Sequence, residues 1–156
     1  MTQQIRIALL SCWLGVMAFF SFVIAPTAFR VLPTQHLAGQ VVSRSLGVAE
    51  IIGMVIGTTL LLLLLISRGR KSRRFLFELI VTAVMTAAMV TSRVVSGWMH
   101  SLRVQAGETL YALPASDPVR VGFDQLHKYS VGLMSIAMLG ALGLIVMLIG
   151  RKGNHA

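Results

Sequence analysis

Four long apolar stretches are the feature that most limits what this chain can fold into. They lie at about residues 5–25, 46–66, 75–97 and 128–149. About 20 apolar residues in an α-helix cross the hydrocarbon core of a bilayer, where each backbone polar group must be satisfied internally. The chain is 56% hydrophobic and only 12% charged. The sequence therefore predicts an all-α protein, a four-helix integral membrane bundle that forms a single domain over residues 1–156.

Several details of the spans follow from the same reading. The first apolar stretch is longer than the hydrophobic region of a signal peptide, so we interpret it as a retained span, and Pro26 predicts a kink or a loosened last turn. The second helix should begin near Thr34 and run to Ile66, which is longer than the membrane requires. Residues 98–127 show no strong periodicity, and we expect them to form an outer loop.

The positive charges predict the orientation. The formal net charge is +9, and five of the fourteen Lys and Arg residues lie between the second and third spans. These five are Arg68, Arg70, Lys71, Arg73 and Arg74. Because Lys and Arg concentrate in cytoplasmic loops, both termini are predicted to be cytoplasmic. The clustering argues against nucleic acid as a partner, and the short basic loop with a single cysteine, Cys12, suits a bacterial inner membrane.

Two apolar helices carry opposite charges at nearly the same depth. Glu50 and Arg93 both lie about 25 Å from the basic loop along their helices. An ionisable residue in a membrane span is costly unless it is paired, so it marks a functional hypothesis. We expect Glu50 and Arg93 to meet, which would hold the carboxylate ionised and argues against a freely exchanging proton carrier. Three interpretations stay open: a structural ion pair, a ligand site, or one residue that snorkels to the interface.

The surrounding polar residues predict a pocket that opens outward. Ser43 shares a helical face with Glu50, and Thr86, Met89 and His100 share one with Arg93. The predicted ligand pocket consists of Glu50, Arg93, His127, Arg30 and Ser43.

Histidines and methionines are the candidate metal ligands. His36, His100 and His127 all map to the outer end, where neutral imidazoles suit zinc, copper or haem iron, although none belongs to a close two-histidine motif. The methionines are more typical of core packing than of a copper ladder. Gly53 and Gly57 form a small-residue pair that favours packing within the bundle, with a dimer face as the alternative.

Three segments resemble a known family. They are residues 20–30 (FSFVIAPTAFR) followed by Leu32 and Pro33, residues 39–42 (GQVV) and residues 123–130 (FDQLHKYS). The chain resembles the transmembrane-protein-205-like family of small four-span membrane proteins, whose function is largely uncharacterised, although the asparagine that often follows in the last span is absent here. The family is distantly similar to copper-resistance protein D-like membrane proteins. That similarity implies haem, porphyrin or copper as a ligand, with His127 as the ligating residue and Arg30 or Arg93 as the partner of an anionic group.

The sequence thus favours a non-enzymatic membrane protein, because it contains no catalytic motif. Our leading hypothesis is that the outward pocket binds or helps to translocate a metal ion, an anion or a lipid head group. One alternative is a haem- or porphyrin-binding redox protein, with His127 holding the cofactor. The other is a structural subunit of a larger membrane complex, and a homo-oligomer is a further partner hypothesis beside the lipid bilayer itself.

Overall fold

The computed structural model describes residues 3–66 and 73–150, and these residues form an all-helical bundle. The α-helices are α1 (Gln3–Phe19), α2 (Ala25–Val31), α3 (Gln35–Ile66), α4 (Arg73–Ala106) and α5 (Pro118–Gly150). A π-helical turn at Phe20–Ile24 joins α1 to α2, and a 3₁₀ turn at Gly107–Tyr111 follows α4. Within the described ranges, four helical segments are long and apolar enough to cross a membrane. This result confirms the predicted fold class and the four spans, while the side on which the termini lie stays a prediction.

The first span is a composite of α1, the π-helical turn and α2. The backbone N–H of Ala25 donates to the carbonyl of Phe20, five residues earlier, which is the hydrogen bond of a π-helix. Pro26 follows directly, and it has no N–H to donate to the preceding turn. The loosened turn predicted at Pro26 is therefore present, but the helix continues beyond it to Val31.

The segment that we predicted to be a long outer loop is largely helical. α4 continues to Ala106, and α5 already begins at Pro118, where the Asp117 carboxylate accepts a hydrogen bond from the N–H of Val119 at 2.8 Å. The prediction was wrong because falling hydropathy marks the end of the membrane, whereas a helix can continue into water. At 34 residues, α4 is about 50 Å long, and a hydrocarbon core is about 30 Å thick. The helix is therefore longer than a direct crossing of the bilayer requires.

The bundle is arranged as a ring of four segments. α1 packs against α3 and α5, and α4 packs against the same two helices, so α1 and α4 lie diagonally opposite. Leu10, Trp13 and Met17 of α1 meet Met85 and Met89 of α4 in a continuous core. The outward faces carry many exposed large apolar side chains, as expected for a surface that contacts lipid.

The small-residue pair on α3 is used inside this bundle. A Cβ placed on Gly53 lies 2.5 Å from Trp13 Nε1 and 2.6 Å from Met89 Cε, and a Cβ on Gly57 lies 2.6 Å from Thr86 Oγ1. Both glycines are buried. Their role is thus close approach of α1 and α4 to α3, as the first of our two interpretations held.

The basic residues that predict the orientation lie only partly within the described ranges. Arg73 and Arg74 begin α4. Arg68, Arg70, Lys71, Arg151, Lys152 and His155 lie outside the described residues.

Candidate functional site: a buried carboxyl group

The most unusual group in the bundle is the carboxyl of Glu50. The side chain lies midway along α3 and is fully buried, at 0% exposure. Its Oε1 accepts hydrogen bonds from Ser92 Oγ at 2.7 Å and from Ser96 Oγ at 3.0 Å, both on α4. Ser92 and Ser96 are separated by four residues, so one helical face presents both hydroxyls to the same oxygen.

The second oxygen of this carboxyl has no such support. Glu50 Oε2 is buried and has no hydrogen-bond partner. Burying a polar atom without a partner is unfavourable, and burying an unpaired charge is far more so. Most buried polar atoms have a hydrogen-bond partner, so this oxygen is an exception that calls for an explanation.

Tight packing against α1 and α4 holds the part of α3 that carries Glu50. Trp13 Nε1 donates to the carbonyl of Ala49, the residue before Glu50, at 3.2 Å. Gly53, one turn further along α3, contacts Trp13 and Met89. α1 thus fixes the backbone from which Glu50 projects, and the two α4 serines fix its carboxyl.

The predicted ion pair between Glu50 and Arg93 is not formed in the described structure. Arg93 is exposed, and its guanidinium lies 3.9 Å from the position of a Cβ on Gly47, one turn from Glu50. Successive residues on an α-helix point about 100° apart. Ser92 faces into the bundle, whereas Arg93, the next residue, lies at the surface beside α3. Of the predicted α4 face, Thr86 and Met89 are buried and Arg93 and His100 are exposed.

The buried face of α4 carries polar residues along much of its length. Thr82 donates to the carbonyl of Glu78 at 2.7 Å, and Thr86 donates to the carbonyl of Thr82 at 2.8 Å. Towards the basic loop, Glu78 is 2% exposed and forms an ion pair with Arg6 of α1. One carboxyl in the bundle therefore has a cationic partner, in contrast to Glu50.

A second polar cluster lies at the end of the bundle opposite Arg73 and Arg74. Arg103 is only 7% exposed, donates to Ser43 Oγ at 2.6 Å, and stacks over the Phe123 ring at 5.3 Å. The guanidinium also lies against Gly39. Ser43 is exposed, and its arginine partner is Arg103, which we had assigned to a loop.

The remaining predicted site residues are dispersed. Arg30, His100 and His127 are exposed, whereas His36 is partly buried and pairs with Gln40 at 2.7 Å. Among the described residues, no group of three or more His, Cys, Asp or Glu is placed to hold a metal ion. The histidine metal site and the haem ligand at His127 thus gain no geometric support.

The sequence contained a signal for the residues that we missed. Ser92 and Ser96 repeat at a spacing of four within an apolar helix, and Thr82, Thr86 and Glu78 extend the same face. Such a polar stripe on one face is typical of an inward-facing surface. The charge of Arg93 concealed it, because we aligned the face on the cation.

The fold and the buried polar interior define a multi-pass membrane protein. Residues 8–108 match the family described as "Domain of unknown function (DUF4149)", and the chain belongs to this family. The matched region includes Glu50, Ser92, Ser96 and Arg103. An "Uncharacterized protein" from Aquifex aeolicus (strain VF5) is 30% identical over 153 residues, which cover 97% of this chain and 100% of the relative. No solved structure matches the chain.

Proposed function

We propose that this protein binds and releases a small cation at Glu50 and helps to move it across the membrane, without enzymatic chemistry. The observation that carries the proposal is the fully buried carboxyl whose Oε2 has no partner. Intramembrane carboxyls commonly mark ion or proton pathways. The earlier objection to proton exchange was the arginine neighbour, and Arg93 does not pair with Glu50.

The donor set favours the proton as this cation. A calcium ion takes six to eight oxygen ligands, and magnesium requires near-octahedral coordination. Within the described ranges, the side-chain hydroxyls that hydrogen-bond to Glu50 are those of Ser92 and Ser96, and both are engaged with Oε1. A proton on Oε2 requires a single oxygen, so it completes the site without further ligands.

The proposed route opens towards the outer end. Ser96, which lies one turn beyond Ser92 in that direction, is partly exposed, whereas Ser92 is fully buried. The outward-facing pocket expected from the sequence thus becomes, in this proposal, an entry past Ser96 to Glu50. The serine pair holds Oε1 in place while Oε2 gains and loses the proton.

The other hypotheses from the sequence are secondary proposals. A haem or porphyrin protein with His127 as ligand, an anion or lipid head group in the pocket, and a subunit role in a larger complex each lack a specific observation at this site. The resemblance to transmembrane-protein-205-like proteins and a location in a bacterial inner membrane are likewise proposals. The bacterial relative supports the location.

Proton flux in proteoliposomes tests the proposal. Vesicles that contain the full chain and an internal pH-sensitive dye are given a potassium diffusion potential with valinomycin. We expect acidification or alkalinisation above that of empty liposomes, which Glu50→Gln reduces to the empty-liposome level because the amide cannot carry the proton. Asp124→Asn, at an exposed carboxylate, is the matched control and should keep the flux.

Two results would contradict this function. One is a Glu50→Gln protein that is folded, by circular dichroism and size-exclusion chromatography, and conducts like the wild type. The other is a flux that follows a sodium gradient rather than the proton gradient, which would identify an alkali ion as the cation instead.

A further inference from the structure

An open groove lies at the end of the bundle where α4 begins, away from Glu50. It has a volume of about 420 Å³ and is lined by Arg73, Arg74 and Phe77 of α4 together with Met147 and Gly150 of α5. This volume falls within the range of small-ligand pockets. The groove therefore combines two guanidinium groups with apolar walls from both helices.

Among the described residues, no carboxylate forms a salt bridge with the guanidinium groups of this groove. The salt bridges among the described residues are those of Arg6 with Glu78 and of Arg120 with Asp124, so neither Arg73 nor Arg74 takes part in one. Both arginines are exposed. The sequence from 51 to 77 contains no acidic residue. The groove thus presents positive charge that an external anion can satisfy.

The position of the groove indicates which anion. Arg73 and Arg74 lie directly before the apolar part of α4, at the level where a bilayer has its head groups. Phe77 lies one turn further in, and it is exposed on the side of the helix that faces lipid. A phosphate held by the arginines would continue into an acyl chain along Phe77 and Met147. Basic pockets between transmembrane helices are suited to anionic lipid head groups.

We propose that the groove between α4 and α5 binds the phosphate of an anionic phospholipid through Arg73 and Arg74, with its first acyl carbons against Phe77 and Met147. The site is independent of Glu50 and of proton flux. It orients the bundle by favouring the leaflet that is richer in anionic lipid.

Native mass spectrometry of the purified full chain in detergent tests this site. Phosphatidylglycerol and phosphatidylcholine with identical acyl chains are titrated separately, and the bound lipid is counted. We expect phosphatidylglycerol to bind more tightly. The Arg73→Gln/Arg74→Gln variant should bind it roughly 30-fold more weakly, which corresponds to about 1 kcal/mol for each arginine. Arg44→Gln/Lys128→Gln removes two exposed charges elsewhere and should leave binding unchanged.

A filling variant separates the groove from surface charge. Met147→Trp keeps both arginines but occupies the apolar wall, and it should weaken phosphatidylglycerol binding at least as much as the arginine variant. The proposal would be overturned if Arg44→Gln/Lys128→Gln weakened phosphatidylglycerol binding as much as Arg73→Gln/Arg74→Gln does. It would also be overturned if a folded Met147→Trp protein bound phosphatidylglycerol as well as the wild type. Displacement of the lipid by equimolar glycerol phosphate would show that the groove binds free phosphate instead.

Discussion

Gly53→Ala is the substitution whose effect the packing of the bundle defines best. The added methyl group would lie 2.5 Å from Trp13 Nε1 and 2.6 Å from Met89 Cε. The Met89 methyl is the end of a flexible side chain and can move. The Trp13 indole is rigid, 2% exposed, and held by its hydrogen bond to the carbonyl of Ala49. The indole must therefore shift, and α1 with it.

The magnitude follows from three contributions. Overpacking a core typically costs about 1–3 kcal/mol. Loss of the Trp13 hydrogen bond, with the buried indole N–H left without an acceptor, adds about 1 kcal/mol. Alanine is a better helix former than glycine by up to about 1 kcal/mol, which opposes the other two. We expect Gly53→Ala to lower the free energy of unfolding by about 1–3 kcal/mol.

The assay is an equilibrium titration from mild detergent into sodium dodecyl sulfate, followed by tryptophan fluorescence and circular dichroism. Gly143→Ala is the matched control, because nothing lies within 4 Å of the Cβ position on Gly143. It should leave stability unchanged or raise it by up to about 1 kcal/mol. If Gly53→Ala is as stable as Gly143→Ala, then α1 does not pack on α3 as described.

Two further predictions concern buried cations and use the same titration. Arg6→Ala removes the cation of the Arg6–Glu78 pair and should cost about 3–5 kcal/mol, whereas Arg6→Met/Glu78→Met should recover most of that loss. A double variant as unstable as Arg6→Ala would refute this. Arg103→Ala removes the bond to Ser43 and the stacking on Phe123, and it should cost about 2–3 kcal/mol. Arg103→Lys should restore less than half of the stability that Arg103→Ala loses, because lysine lacks the planar guanidinium group. An Arg103→Lys protein as stable as the wild type would contradict that reasoning.

Hydropathy alone was sufficient to predict the spans. Backbone groups in lipid have no water to bond, so a stretch such as residues 46–66 has little choice but to form a helix. The glycine pair at Gly53 and Gly57 was also interpretable, because close helix approach requires small residues. The ends of α4 and α5 were not predictable in this way, since in water a helix is held by packing and capping, as at Asp117, and not by hydropathy.

The candidate site was only half predictable. Glu50 is identifiable from the neighbouring sequence alone, because a carboxylate within an apolar stretch is costly and needs a functional or structural reason. Its neighbours are not. Arg93 and Ser92 are adjacent in sequence but point in directions about 100° apart. Because both residues are polar, the hydrophobic pattern does not show which of the two faces the bundle.

The sequence by itself determined four membrane helices and a carboxyl buried within one of them, because the bilayer imposes the same requirement on every backbone group and every charge. Only the tertiary structure decided that serines rather than an arginine meet Glu50, and that Arg103 rather than Arg93 is enclosed. The rotation of α4 about its axis made that choice, and it is set by how the side chains of four helices interlock.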